Sequence, residues 1–245
     1  MNIRRLSFLL LFGLLVTGCG SDVQLSKSTK SIADKDDYLE HIRLDLSKQW
    51  PDNRTINIVC HGHSVPAGYF NTPAVRPFES YPHLLHKALK ERYPDAVINV
   101  IVTAIGGEHS VDGAKRFERD VIGCQPDVIL IDYALNDRSV GLADAATAWS
   151  SMIELAKAED IEVLLLTPTP DIHHVPEDRS EDLNRHADQI RFLAALYNVG
   201  LVDSLAAFDT ELKTGTRVSD LLSNGYNHPN QKGHAIVVQQ ILTWF

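Results

Sequence analysis

Residues Ile58 to Gly68 (IVCHGHSVPAG) pass from an apolar β-type run into a glycine-bounded turn that holds one serine, Ser64. Far downstream, Asn227-His228-Pro229-Asn230 sets a histidine just before a proline turn. A serine hydroxyl is a poor nucleophile until a base takes its proton during attack, and a histidine suits that role. A serine at the C-terminal end of a first strand, with a histidine near the end of the chain, is how an open α/β sheet would build the pair. Taken singly, Ser64 reads as a turn residue and His228 as a helix cap.

The elements that must position them follow a regular alternation. Strand-like runs occur at Thr55 to Cys60, Val97 to Val102, Asp127 to Tyr133, Ile161 to Leu166 and Val199 to Val202. The middle runs are continuously apolar and rich in Val and Ile, as in strands buried on both faces. Helical patterns fall at Ser80 to Tyr93, Val111 to Ile122, Ala143 to Ala158, Glu181 to Tyr197 and Gln231 to Phe245, with a leading helix at Asp36 to Gln49. The order predicts an α/β fold: a three-layer, flavodoxin-like sandwich whose central five-stranded parallel sheet carries helices on both faces. Sites in such folds form beyond the C-terminal ends of the strands.

Those ends carry unusual residues. The first gives Gly62-His63-Ser64, the second Ile105-Gly106-Gly107-Glu108, the third Asn136-Asp137, and the last loop Asn227-His228-Pro229. A serine, a glycine, an asparagine and a histidine in this order resemble an SGNH (GDSL-type) hydrolase, from about Ile56 to the C-terminus. Gly113-Ala114-Lys115-Arg116 after the second block, Pro126-Asp127-Val128-Ile129-Leu130 before the third, and Asn230 with Gly233-His234 after the last extend the similarity. The resemblance implies Ser64 as nucleophile and His228 as base. It also implies an oxyanion hole built from the backbone N–H groups of Ser64 and Gly107 and the side-chain amide of Asn136. On its own, Asn136-Asp137 would be a simple strand-to-helix turn.

Two departures from the family pattern matter. His63 stands where the family has an acidic residue beside the nucleophile, which implies a changed local hydrogen-bond network. The acid that normally precedes the histidine by three or four residues is missing, because Gly225 and Asn224 occupy those positions. Asn224 is therefore placed in the catalytic set, its amide oxygen orienting His228. A backbone carbonyl or a carboxylate elsewhere, with Asp220 nearest in sequence, is an alternative orienter. A third possibility is an enzyme that is weak or silent.

Eleven histidines raise the question of a metal. No HExxH motif and no cysteine–histidine spacing suited to zinc occurs, so no metal site and no cofactor are expected. His63, and the adjacent pair His173-His174 in the loop after the fourth strand, are candidates for the substrate pocket; the alternative for the pair is that both are solvated loop residues.

The N-terminus differs in kind. Arg4 and Arg5 precede an apolar run from Leu6 to Val16, which is too short to span a bilayer and has the anatomy of a secretory signal. Val16-Thr17-Gly18-Cys19 resembles a bacterial lipobox, making residues 1–18 a signal peptide and Cys19 the lipidation site. Residues 19–33 then read as a polar tether and 34–245 as the catalytic domain. Gly20 after Cys19 points to the outer membrane in a Gram-negative cell. Acidic residues outnumber basic ones by 32 to 23 with no basic cluster after the signal, which argues against a nucleic-acid partner. Cys60 and Cys124 fall at opposite ends of neighbouring strands, beyond the roughly 7 Å Cα limit for a disulfide. The expected activity is ester hydrolysis through an acyl-enzyme, directed at small esters or acylated glycans. The competing reading is a silent surface lipoprotein that binds glycan through the same pocket.

Overall fold

A computed structural model of the protein describes residues 30–176 and 178–245; the expected signal peptide, residues 1–18, and Cys19 lie outside them. In chain order, helix α1 (Glu40–Leu46) leads into strand β1 (Thr55–Gly62), the one-turn helix α2 (Ser64–Ala67) and α3 (Tyr81–Arg92). Then come β2 (Val97–Val102), α4 (Ser110–Asp120), β3 (Val128–Asp132), the one-turn helix α5 (Ala134–Asp137) and α6 (Gly141–Ala158). The chain finishes with β4 (Glu162–Leu166), α7 (Asp182–Tyr197), β5 (Gly200–Val202), α8 (Ser204–Lys213) and α9 (Gln231–Ile241). All four strand pairings are parallel, in the order β2-β1-β3-β4-β5.

Alternation along the strands fills two cores. Ile56, Ile58, Cys60, Val128, Leu130, Leu164 and Leu166 face one side, where α1, α3, α8 and α9 supply Ile42, Leu85, Phe208 and Val237. Val59, Ile129, Ile131, Val163 and Leu165 face the other, against Phe117 of α4 and Trp149 and Met152 of α6. Successive side chains of a strand point to opposite faces, so a run apolar at every position must be covered twice. The expected three layers are present.

β1 leads outward to β2, and the chain then crosses to β3 on the other side of β1. That reversal opens a crevice at the C-terminal ends of β1, β2 and β3, the usual position of a site in an open α/β sheet. The residues expected at the strand ends are delivered to it. Ile105 N–H donates to the carbonyl of Gly62 at 3.0 Å, tying the loop after β2 to the end of β1. Gly62 itself is compelled by packing, since a Cβ there would lie 2.4 Å from the carbonyl oxygen of Asp132.

The end of the expected tether is part of the domain surface. Ala33 is buried and donates its N–H to the Val199 carbonyl at 3.2 Å, while Asn198 Nδ2 donates to the Ser31 carbonyl at 2.8 Å. Cys60 and Cys124 are both free thiols, and burial pushes the Cys60 thiol well up. Among the described residues no helix is long and apolar enough to cross a membrane.

Candidate active site

Ser64 is the first residue of α2, so its main-chain N–H has no partner within the helix. His228 sits one residue before Pro229, in the loop entering α9, whose N-cap Asn230 accepts from the N–H groups of Lys232 and Gly233. Both side chains are largely buried. His228 Nε2 lies 3.1 Å from Ser64 Oγ, across 164 residues of sequence.

What holds the other side of the imidazole is the main chain. His228 Nδ1 lies 3.0 Å from the carbonyl oxygen of Phe70. Because a carbonyl only accepts, this contact fixes the tautomer with the proton on Nδ1 and leaves Nε2 to accept from Ser64. Ser223 Oγ lies 3.0 Å from the same carbonyl and 3.0 Å from the His228 carbonyl, bridging the two loops. The Phe70 loop is closed on itself: Phe70 N–H donates to Ala74 at 3.0 Å and Arg76 N–H to Gly68 at 2.7 Å. The Arg76 guanidinium stacks 4.0 Å over the Phe70 ring.

The expected role of Asn224 is therefore corrected. Its amide oxygen is taken by three main-chain donors, the N–H groups of Tyr226 (2.9 Å), Asn227 (2.9 Å) and His228 (3.0 Å). Asn224 builds the turn that carries the base and does not contact the imidazole nitrogens. Asp220 is excluded too, being exposed and paired with Arg217 at 2.7 Å. With no carboxylate on the ring, burial holds the His228 pKa below the ordinary histidine value. The Phe70 carbonyl opposes that shift in part, and nearby His63 reinforces it.

The second and third strand ends converge on the same place. Gly107 has a φ of +82°, in the left-handed region, and an added Cβ would meet open space; conformation rather than room calls for glycine there. Asn136 Nδ2 donates to the Glu108 carbonyl at 2.9 Å, which uses one of its two protons. Buried Asp137 locks the two loops together, accepting from Ser110 N–H at 2.7 Å and Trp149 Nε1 at 2.6 Å. Beneath them, the Glu108 carboxylate is held by Arg116 Nε at 2.8 Å and Tyr133 OH at 2.6 Å. Burial raises its pKa, but Arg116 and Tyr133 outweigh that and leave it below the usual carboxylate range. The Tyr133 hydroxyl continues the network to His61 Nε2 at 3.1 Å.

Two of the three pocket histidines face elsewhere. His63 is fully buried behind the nucleophile; its Nδ1 accepts from Val65 N–H at 3.2 Å and its Nε2 lies 3.5 Å from Asp132 Oδ1. It caps α2 from below, with no surface exposed to solvent. His174 is buried between two carboxylates, Glu181 at 3.1 Å and Asp209 at 2.7 Å, joining its loop to α8. His173 alone is exposed, its ring packed edge-on to Tyr226. Among the described residues no group of His, Cys, Asp and Glu could hold a metal ion.

Sequence reasoning missed Phe70 and Tyr69. The Tyr69 ring lies 6.0 Å from the His228 ring, and its tip covers Gly106, where a Cβ would sit 2.6 Å from the ring. An aromatic wall thus stands between the imidazole and the Gly106-Gly107 step.

The family model for GDSL-like lipases and acylhydrolases matches residues 60–236, which span all four strand-end blocks. The chain belongs to that family and is an ester hydrolase. This hydrolase is 26% identical over 170 residues to an acetylxylan esterase from Geobacillus stearothermophilus, covering 63% of this chain and 75% of that one. The crystal structure of that bacterium's acetylxylan esterase superposes with a TM-score of 0.67 at 23% identity, over 77% of this chain and 93% of the other. An α/β hydrolase enzyme from the metagenome of Lake Arreo, Spain, gives a TM-score of 0.62 at 24% identity, over 77% and 94%. The Geobacillus esterase is also known as catalytic mutants at a serine, a histidine and an aspartate three positions before that histidine. In this hydrolase Gly225 stands three positions before His228.

Proposed function

We propose that this hydrolase removes short acyl groups, acetyl foremost, from carbohydrate hydroxyls by way of an acyl-enzyme on Ser64. The 3.1 Å contact between Ser64 Oγ and His228 Nε2 is the observation that carries this reading. Ser64 Oγ attacks the ester carbonyl and its proton passes to His228 Nε2. The oxyanion is received by the N–H groups of Ser64 and Gly107 and by the second proton of Asn136 Nδ2. His228 then gives its proton to the departing sugar oxygen. In the second half, His228 activates water against the acyl-enzyme and Ser64 is regenerated, so the products are a free hydroxyl and a carboxylic acid. Preference for small acyl groups is supported by the Tyr69 ring between His228 and Gly106, and preference for carbohydrate by the acetylxylan esterase relatives. No step calls on a cofactor.

The protein is further proposed to act as an exported lipoprotein anchored through Cys19, on the strength of Arg4-Arg5, the apolar run and Val16-Thr17-Gly18-Cys19. Several acyl chains on one cysteine would anchor it stably, whereas one gives only marginal binding. A fatty-acid probe should label the full-length protein and not Cys19→Ser; release of unlabelled wild type into the soluble fraction would contradict the anchor.

The activity is tested with acetylated xylan and with p-nitrophenyl acetate, butyrate and octanoate, using Ser64→Ala as control. The reading expects acetate release from the xylan and a steep fall in kcat/KM with chain length, both lost in Ser64→Ala. Glycan binding without hydrolysis would favour the silent lipoprotein instead.

A further inference from the structure

The chemistry of the leaving group fixes where a sugar must lie. His228 Nε2 protonates the departing oxygen, so the sugar that owns this oxygen rests against the wall that carries His228. Tyr226 stands two residues before the base on the same Asn224-held turn and is 51% exposed. Its ring meets the exposed His173 ring at 6.1 Å and 74°.

The two rings are held on fixed backbone. Tyr226 N–H donates to Asn224 Oδ1 at 2.9 Å, and the Tyr226 carbonyl accepts from Ile172 N–H at 2.7 Å. On the other loop, His173 N–H donates to Asp171 Oδ1 at 2.8 Å, and the buried Asp171 carboxylate is anchored by Arg138 Nη1 at 2.7 Å. The loop after β4 and the turn before the base are thus stitched together under an aromatic pair. Trp50 is more exposed at 84%, but it precedes β1 and so sits towards the opposite, N-terminal ends of the strands from Ser64.

We propose that Tyr226 and His173 form a sugar-binding subsite on the leaving-group side of the active site. The proposal rests on the carbohydrate reading above and names the surface that would confer it. An aromatic face is electron-rich, and the C–H bonds on one face of a pyranose present positive partial charge to it. The imidazole of His173, standing at the edge of the tyrosine ring, offers ring nitrogens to sugar hydroxyls. The main-chain hydrogen bonds hold the two backbones in place, and the edge-on contact between the rings limits the side-chain freedom to be lost on binding.

The test compares two acetyl esters that differ only on the leaving-group side: acetylated xylotriose, and methyl acetate, whose methanol is too small to reach the rings. Wild type should favour the xylotriose ester. Tyr226→Ala should lower the ratio of the two kcat/KM values at least tenfold, through KM for the sugar ester, with His173→Ala lowering it less. Tyr226→Trp, which restores an aromatic face, should keep the ratio near wild type. A wild-type preference that survives unchanged in Tyr226→Ala and His173→Ala would overturn the subsite while leaving the carbohydrate reading intact. Absence of any wild-type preference would overturn both.

Discussion

His228 Nδ1 lies 3.0 Å from the main-chain oxygen of Phe70, a residue 158 positions away, where a serine hydrolase ordinarily presents a carboxylate. The carbonyl can hold the ring and fix the tautomer, but it brings no full negative charge to stabilise the imidazolium that forms when Ser64 is deprotonated. Burial and the absence of that charge act in the same direction, and the His228 pKa lies below its ordinary value. The hydrolase should consequently keep a neutral, competent base at pH values where a carboxylate-backed histidine is already protonated.

Restoring a carboxylate should reverse this. Gly225 has a φ of +67° with open space around a built Cβ, and aspartate tolerates the left-handed region better than most residues. Gly225→Asp places a negative charge three residues before the base, and opposite-charge attraction raises a histidine pKa. The acidic limb of kcat/KM should move up in pH. An unchanged limb in a folded variant would show that the charge does not reach the ring.

Asn224 predicts a different pattern, because it holds a turn and not the imidazole. Asn224→Ala leaves the N–H groups of Tyr226, Asn227 and His228 without their acceptor and should lower kcat about tenfold or more through misplacement of the base. Asn224→Asp keeps an acceptor for all three donors and should retain most of the activity. Equal losses in both variants, measured on p-nitrophenyl acetate, would argue that the amide group has another role.

The oxyanion donors separate from the nucleophile. Asn136→Ala should lower kcat by about 10²–10³ while Ser64 remains open to a fluorophosphonate probe. Ser64→Ala should abolish labelling altogether. Full turnover in Asn136→Ala would remove this side chain from the oxyanion site.

Asp137 is the stability counterpart. Removing its carboxylate strands Ser110 N–H and Trp149 Nε1 in a buried setting, and each stranded donor costs about 1–3 kcal/mol. Asp137→Ala should shift the urea midpoint to lower concentration by an amount equivalent to about 2–4 kcal/mol. A change below about 0.5 kcal/mol would mean that the two donors find other partners.

Acid should weaken the fold through buried histidines as well. Burial lowers His61 to about 4 and His234 to about 3. A histidine depressed in the folded state is protonated first in the unfolded chain, so stability is full above about pH 6.5 and is lost as pH falls towards these values. His234→Asn, whose Oδ1 can still accept from Tyr81 N–H at the position of Nδ1, should flatten the decline in unfolding free energy between pH 7 and 5. An identical decline in wild type and variant would exclude His234 as a contributor.

Much of the scaffold was legible because its signals are local. Continuous Val and Ile runs marked β2 and β3, Pro94 marked the end of α3, and the strand-end residues Ser64, Gly107 and Asn136 followed from the alternation. Helix α8 is not among the helices expected from the sequence, although Asp203, whose side chain accepts from Ala206 N–H at 3.3 Å, is a visible N-cap ahead of Leu205 and Phe208. The orienter of His228 left no such trace, because every residue has a carbonyl and only the tertiary fold selects that of Phe70. The histidines misled for a related reason: Asp132 and Asp209, which stand against the Nε2 atoms of His63 and His174, are remote in sequence, although Val65 and Glu181 on the Nδ1 sides are near.

Ser64 is activated by His228, a histidine with a main-chain carbonyl and no carboxylate behind it. The pH dependence of kcat/KM for p-nitrophenyl acetate, with Ser64→Ala as the blank, tests it most directly. A single ionisation on the acidic limb below pH 6.5, absent from the Ser64→Ala blank, is the predicted result. An acidic limb at or above pH 7, or undiminished hydrolysis by Ser64→Ala, would contradict it.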